Sequence, residues 1–314
     1  MTSLFDPLSF QSGLTIKNRI ALAPMTNLQS HEDGSLGEDE LRFLTMRAKG
    51  GFGLIETCAS HVAKDGQGWG GELGIFDDAL LPGLTRLATS LRENGAASFV
   101  QIFHGGLRAD PALSGSTPWS ASASTDPVAR QATTEDIARV IAEFGAAAQR
   151  AEKAGFDGVE IHGAHGYLIT QFLSSTQNRR ADSWGGSLEG RARLAREITR
   201  EVRRRTRSSF TVGIRLSPED FGNARGLDLD ETLQVAKELA ADGVDFIHAS
   251  LWRAHENTKK RPHSHAVSLL REVLPAHVKI FVAGEIWTRR DAQVLLERGA
   301  DVVALGRAGI VNPS

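Results

Sequence analysis

Cysteine is nearly absent from this chain: Cys58 is the only one in 314 residues. Within these residues that excludes an intrachain disulfide and an iron–sulfur cluster held by cysteines. No apolar run approaches the ~20 residues needed to span a bilayer. The opening MTSLFDPLSF has no basic stretch followed by an apolar core. No secretory signal is therefore expected, and a cytoplasmic location is. One sign of charge does not dominate either: the formal net charge of −2 gives no general attraction to nucleic acid or to an anionic membrane, so neither is expected as a partner. Tyrosine is as scarce as cysteine, with Tyr167 alone. What is present, 41% hydrophobic and 24% charged residues, suits a globular protein with a sizeable core.

Short runs rich in Val, Ile and Ala recur along the chain, each followed by a helical pattern. They are RIALA (Arg19–Ala23), GLIET (Gly53–Thr57), SFVQIF (Ser98–Phe103), GVEIH (Gly158–His162), TVGIRL (Thr211–Leu216), VDFIHA (Val244–Ala249), VKIFVA (Val278–Ala283) and DVVAL (Asp301–Leu305). Near-continuous apolar strands of this length are what a parallel sheet covered on both faces requires. The intervening segments carry period-3.6 patterns over Glu38–Lys49, Leu81–Glu93, Thr134–Lys153, Asp230–Ala241 and Thr288–Arg298, most ending beside a glycine. Eight strands alternating with helices predict an α/β fold, a (β/α)8 barrel, formed as a single unit over residues 1–314. A doubly wound open sheet is the alternative, but no GxGxxG follows the first strand. Leu8–Ile16 predicts a short N-terminal hairpin around Ser12-Gly13. Only eight residues follow Gly306, so the eighth helix is expected to be truncated or missing. Pro111–Pro127 and Pro218–Asp230 are long connections on the C-terminal side of strands, where barrels build their sites, and the first suits a lid.

Polar residues gather at the predicted strand ends. Gly155–Arg191 runs from a buried strand into His162, His165 and Tyr167, a hydrogen-bonding and proton-donating cluster. Arg215 lies inside an otherwise apolar strand, where a guanidinium is costly to bury unless it meets an anion or a polarised oxygen. A salt bridge to a barrel glutamate is its structural alternative. Gly284 and Gly306-Arg307 follow the seventh and eighth strands, where barrels often bind phosphate. The HxxH of His162 and His165 has no third ligand at an obvious spacing, so no metal site is assigned. The basic stretch WRAHENTKKRPHSH (Trp252–His265) is read as a solvated loop.

These pieces together resemble the Old Yellow Enzyme family. The matching motifs are KNRIALAPMT (Lys17–Thr26), QIFHGG (Gln101–Gly106), the stretch from Gly155, VGIRLSPEDF (Val212–Phe221), AGEI (Ala283–Ile286) and ALGRAGIVNP (Ala304–Pro313). The resemblance runs from the hairpin through the eighth strand. It implies an FMN-containing oxidoreductase that takes hydride from NADPH or NADH and reduces an activated alkene, a nitro compound or a quinone. In the family pattern Ala23, Pro24 and Met25 offer backbone contacts to the flavin ring, Thr26 meets flavin O4 and Gln101 the pyrimidine edge. Arg215 stands by N1/O2, Gly284, Gly306 and Arg307 hold the ribityl phosphate, and Ala283 is a further cofactor-binding position. His162 and His165 hold the acceptor's oxygen, and Tyr167 gives the proton.

The chain departs from the pattern at two places. Asn27 and Leu28 stand where relatives with cysteine at the Thr26 position carry a tyrosine shortly afterwards. The third-strand motif reads HGGLR, so Arg108 comes one place later than the usual basic residue. Two other functions are weighed: a phosphate-binding barrel lyase or aldolase without flavin, and a flavin-binding protein of low turnover. A Schiff-base enzyme would place a lysine at a strand end, and only Lys279, near the start of the seventh strand, lies in one. A homo-oligomer is allowed for; the acceptor, the choice of nicotinamide and the subunit number stay open.

Overall fold

Alternation along each buried strand decides what fills the barrel. In the computed structural model, which describes residues 2–314, the eight apolar runs are β3 and its seven parallel partners. The strands in chain order are β1 (Leu8–Ser9), β2 (Thr15–Ile16), β3 (Ile20–Leu22), β4 (Leu54–His61), β5 (Ala97–Phe103), β6 (Trp119–Ser120), β7 (Ser124–Thr125), β8 (Val128–Gln131), β9 (Gly158–Gly163), β10 (Thr211–Leu216), β11 (Phe246–Ser250), β12 (Lys279–Ala283) and β13 (Val302–Leu305). The closed barrel runs β3, β4, β5, β9, β10, β11, β12, β13 and back to β3. β1 and β2 form the expected antiparallel hairpin, with Leu8 opposite Ile16.

The helices are α1 (Glu38–Lys49), α2 (Leu81–Glu93), α3 (Pro111–Ser114), α4 (Thr134–Ala154), α5 (Leu168–Leu173), α6 (Leu188–Arg205), α7 (Leu229–Ala241), α8 (Ala266–Val273), α9 (Arg289–Glu297) and α10 (Arg307–Val311). Several of their starts carry side-chain caps. Thr133 caps α4 in a reciprocal box with Asp136, one residue earlier than the sequence pattern implies, and Thr288 caps α9 with Asp291 in the same way. The helix after the eighth strand, α10, is five residues long. No helix among the described residues is long and apolar enough to cross a membrane.

The hairpin closes the N-terminal end of the barrel. Phe10 meets the rings of Phe99, Phe246 and Phe281 edge-on, with centroids 6.1–6.4 Å apart. Those three phenylalanines fit because their neighbours at the same depth are glycines: a Cβ on Gly213 would lie 2.3 Å from the Phe246 ring, and one on Gly158 would lie 2.8 Å from Phe99. Two residues further along β4, β5, β9, β10 and β11 the inward positions become polar: Glu56, Gln101, Glu160, Arg215 and His248, all buried. A layer of charge therefore sits between a dry aromatic floor and the open C-terminal face.

The long connection after the third barrel strand, expected as an ordered or mobile lid, leads into a small sheet in which β8 pairs with β6 and β7. The segment after α5, which the sequence left without a role, anchors it. Arg180 is buried and donates to the carbonyls of Ala121 (3.0 Å) and Ala132 (2.8 Å) while pairing with Asp182. Arg191 of α6 is also buried, donating to the Leu173 carbonyl and pairing with Glu231.

Candidate active site

One cavity at the C-terminal face is lined by Ala23, Pro24 and Met25 after β3, Arg215 of β10, Ala283 and Gly284 at β12, and Gly306 and Arg307 after β13. His165 lines it too, so residues more than 280 positions apart in sequence converge on one cavity. Thr26, Gln101, His162 and Tyr167 are not part of that lining. Thr26 is exposed. The Gln101 amide is committed to Glu160, donating from Nε2 at 2.7 Å. His162 and Tyr167 join the cavity through His165: the two histidine rings lie 5.0 Å apart, and Tyr167 is 5.2 Å from His162.

The fold holds this cluster from several sides. His165 has φ of 62°, a left-handed conformation that a histidine rarely adopts, and Ser217 Oγ accepts its backbone N–H at 3.2 Å. Its Nε2 lies 2.6 Å from Ser250 Oγ, which fixes the ring. Arg108 donates to the His165 carbonyl at 2.8 Å and stacks over the Tyr167 ring at 4.2 Å, so the displaced arginine of HGGLR braces the tyrosine. Phe103 packs edge-on against that ring at 4.7 Å. Beneath lies Gln171, hidden in the apolar run of α5. It donates to the carbonyls of Gly105 and Gly166 and accepts from Leu107 N–H and Ser120 Oγ. Ser250, Phe221, Trp252 and Gln171 escaped the sequence reading. Only Ser250, at the end of the sixth barrel strand, sits where position alone could have drawn attention.

Electrostatics separate the polar groups. Burial, and then the positive charge of neighbours such as Arg215 and Arg108, holds both His162 and His165 well below the usual imidazole range. Each is a neutral N–H donor at ordinary pH. Burial pushes the Tyr167 phenol up, with Arg108 opposing, so it keeps its proton. Arg215 is buried; its Nε has no partner, and its one hydrogen bond reaches the Pro24 carbonyl at 3.4 Å. A buried guanidinium with free donors calls for an anionic or polarised oxygen in the cavity it lines. Gly284 supports the same conclusion: with φ of 146°, a Cβ there would lie 2.4 Å from the Leu251 carbonyl, so backbone comes close to the cavity where a side chain would not fit. The residues present thus fit a flavin mononucleotide.

One feature opposes the phosphate. Glu285, also at positive φ (49°), pairs with Arg307 at 2.8 Å and lies 3.5 Å from Arg253. Replacing Glu285 by Gln removes a carboxylate that competes for Arg307. Equilibrium titration of the apoprotein with FMN should show tighter binding, by up to about fivefold, the range of a solvent-accessible ion pair. Unchanged or weaker binding would place the phosphate elsewhere.

A model described as the NADH:flavin oxidoreductase / NADH oxidase family matches residues 3–314. The chain is 38% identical to a probable NADH-dependent flavin oxidoreductase, YqiG, of Bacillus subtilis (strain 168), over 99% of this chain and 86% of that one. It is 35% identical to an NADH:acrylate oxidoreductase of Vibrio harveyi, covering all of this chain but 33% of that larger protein. Among solved structures, an old yellow enzyme homologue from Zymomonas mobilis superposes with a TM-score of 0.89 at 30% identity, over 100% of this chain and 91% of that one.

Proposed function

The chain belongs to the NADH:flavin oxidoreductase / NADH oxidase family, the Old Yellow Enzyme group of flavoproteins, and on that premise we propose that it reduces small acceptors whose reacting carbon is conjugated to an oxygen: enones first, then nitro compounds and quinones. As a member it is an FMN enzyme served by NADH or NADPH. That replaces the flavin-free lyase or aldolase weighed from the sequence. Bound FMN supplies a carrier that accepts hydride from the nicotinamide and passes it to the acceptor.

The observation that carries the proposal is the pairing of two neutral imidazoles with a high-pKa phenol beside the cavity that Arg215 lines. His162 and His165 donate N–H to the acceptor's carbonyl or nitro oxygen. Negative charge builds on that oxygen as the conjugated carbon is attacked, so preorganised donors there lower the barrier. Neutral donors withdraw electrons without giving up a proton. Tyr167 then protonates the adjacent carbon, a task for which a weak acid suffices because the intermediate is enolate-like and strongly basic. The resulting phenolate is held beneath the Arg108 guanidinium, which stacks on the ring, until solvent restores its proton.

Anaerobic titration of the reconstituted protein with each nicotinamide, followed by a panel of enones, nitroaromatics and quinones, tests this reading. Stoichiometric alkene reduction supports it. A flavin that nicotinamide bleaches and that none of these acceptors reoxidises would overturn it and leave a low-turnover flavoprotein.

The strained backbone of His165 gives a further expectation. Asparagine tolerates the left-handed region and keeps an N–H donor, whereas alanine tolerates it poorly and has none. Thermal unfolding should place His165→Ala about 1–2 kcal/mol below His165→Asn. Enone turnover should survive better in the Asn variant. Equal stability of the two would show that the strain is relieved elsewhere.

A further inference from the structure

The polar layer beneath Arg215 contains more charge than the flavin reaction uses. Glu56 (β4), Glu160 (β9) and His248 (β11) project into the barrel, each at most 1% exposed, with one ligating atom of each within 4.8 Å of the others. Glu160 is saturated: it accepts from Gln101 Nε2 at 2.7 Å and lies 2.6 Å from His248 Nδ1. Glu56 is the reverse. Neither of its oxygens has a hydrogen-bond partner, His248 Nδ1 is 3.9 Å from it, and His248 Nε2 is also unpartnered. The groups facing this cluster are Arg215 from β10, Gln101 from β5 and, across the barrel, the Phe281 ring of β12, 5.9 Å from His248. Below them is the phenylalanine floor.

An ionised carboxylate with no donor in such a place is untenable, and two carboxylates this close cannot both ionise. Burial, and then Glu160, pushes the Glu56 carboxyl well above its usual range. For Glu160, burial acts upward but is outweighed by His248, Arg215 and Gln101. The pair therefore holds one proton and one negative charge, and that charge faces the Arg215 guanidinium.

We propose that Glu56 and Glu160, bridged by His248, act as positioning residues that share one proton behind Arg215, and that their single negative charge offsets the guanidinium and sets how strongly the bound flavin is favoured when reduced. The inference rests on the flavin assignment above. A divalent cation is the competing occupant of the same three side chains. The geometry favours the proton, because Arg215 already supplies a positive charge and Glu160 and His248 Nδ1 already satisfy one another.

A shared proton has a signature that passive carboxylates lack. In Glu56→Gln or Glu160→Gln the remaining carboxyl can still ionise against Arg215, so the charge survives. Only the double variant E56Q/E160Q removes it. Redox titration of bound FMN should show each single variant changing the reduced-to-oxidised affinity ratio less than about threefold, and the double variant raising it about tenfold or more, equivalent to about 30 mV for a two-electron couple. Additive shifts, or the whole shift in one single variant, would overturn the proposal. Infrared spectra of unaltered apoprotein, which need neither flavin nor a variant, should show a buried carboxylic-acid C=O band at neutral pH. No such band, or one equivalent of tightly bound metal in the purified protein, would overturn it too. Failure to bind FMN would count against the flavin assignment alone, because the infrared arm would still report on the proton.

Discussion

Tyr167→Phe should lower the rate of enone reduction by about a hundred-fold to ten-thousand-fold, the usual contribution of a positioned general acid. The reduction of bound FMN by NADH or NADPH should continue nearly unchanged. The two halves of the cycle separate because only acceptor reduction needs the phenolic proton, and the ring itself, packed by Phe103 and Arg108, is retained in phenylalanine. Stopped-flow measurement of each half-reaction checks this. Equal loss in both halves would show that the tyrosine positions flavin or nicotinamide instead. The pH dependence follows from the same environment. The Tyr167 phenol is raised and the two histidines are lowered, so none of the three changes charge between about pH 7 and 9 when judged from their ordinary values. The unaltered enzyme's acceptor half-reaction should then be flat across that interval.

Arg215→Met should be the most damaging substitution to the fold of the apoprotein. The guanidinium is buried, and its positive charge acts on both Glu56 and Glu160. Methionine matches much of its volume but leaves the Glu160 charge without its neighbouring cation, a loss that should stay below the about 3–5 kcal/mol of a broken direct buried pair, because Arg215 bonds only the Pro24 carbonyl. Uptake of a second proton by the pair is the available relief. The deficit should therefore shrink as pH falls: protonating both carboxyls removes the charge that lacks a partner, so stability relative to the unaltered protein recovers on acidification. Chemical denaturation of both apoproteins at several pH values measures this. A deficit independent of pH would mean that packing, not charge, is what Arg215 contributes there.

The barrel was legible in the chain because its strands are covered on both faces. Each therefore reads as a short apolar run, and the β-αβ alternation left few architectures to choose from. The functional residues at strand ends were legible for a related reason: Arg215 interrupts TVGIRL, and His162 terminates GVEIH. Less visible were residues whose role depends on what lies across the barrel. Glu160 reads as one polar residue in a buried strand until Gln101 and His248 are seen to meet it from β5 and β11. Glu56 falls just before a register shift in β4, between Glu56 and Ala59, and pattern alone does not show which way it points. Gln171 and Arg180 were hidden in the same way, one inside an apolar helix and the other in a polar loop.

The sequence by itself determined the apolar runs of the barrel strands, the approximate spans of several helices and the order in which the candidate site residues return to one face, because these depend on local alternation and capping. Only the tertiary structure decided how the charges are shared. Closing the barrel brings Glu56, Glu160 and His248 from three strands into one dry layer beneath Arg215, and the cost of desolvating that layer leaves it a single negative charge.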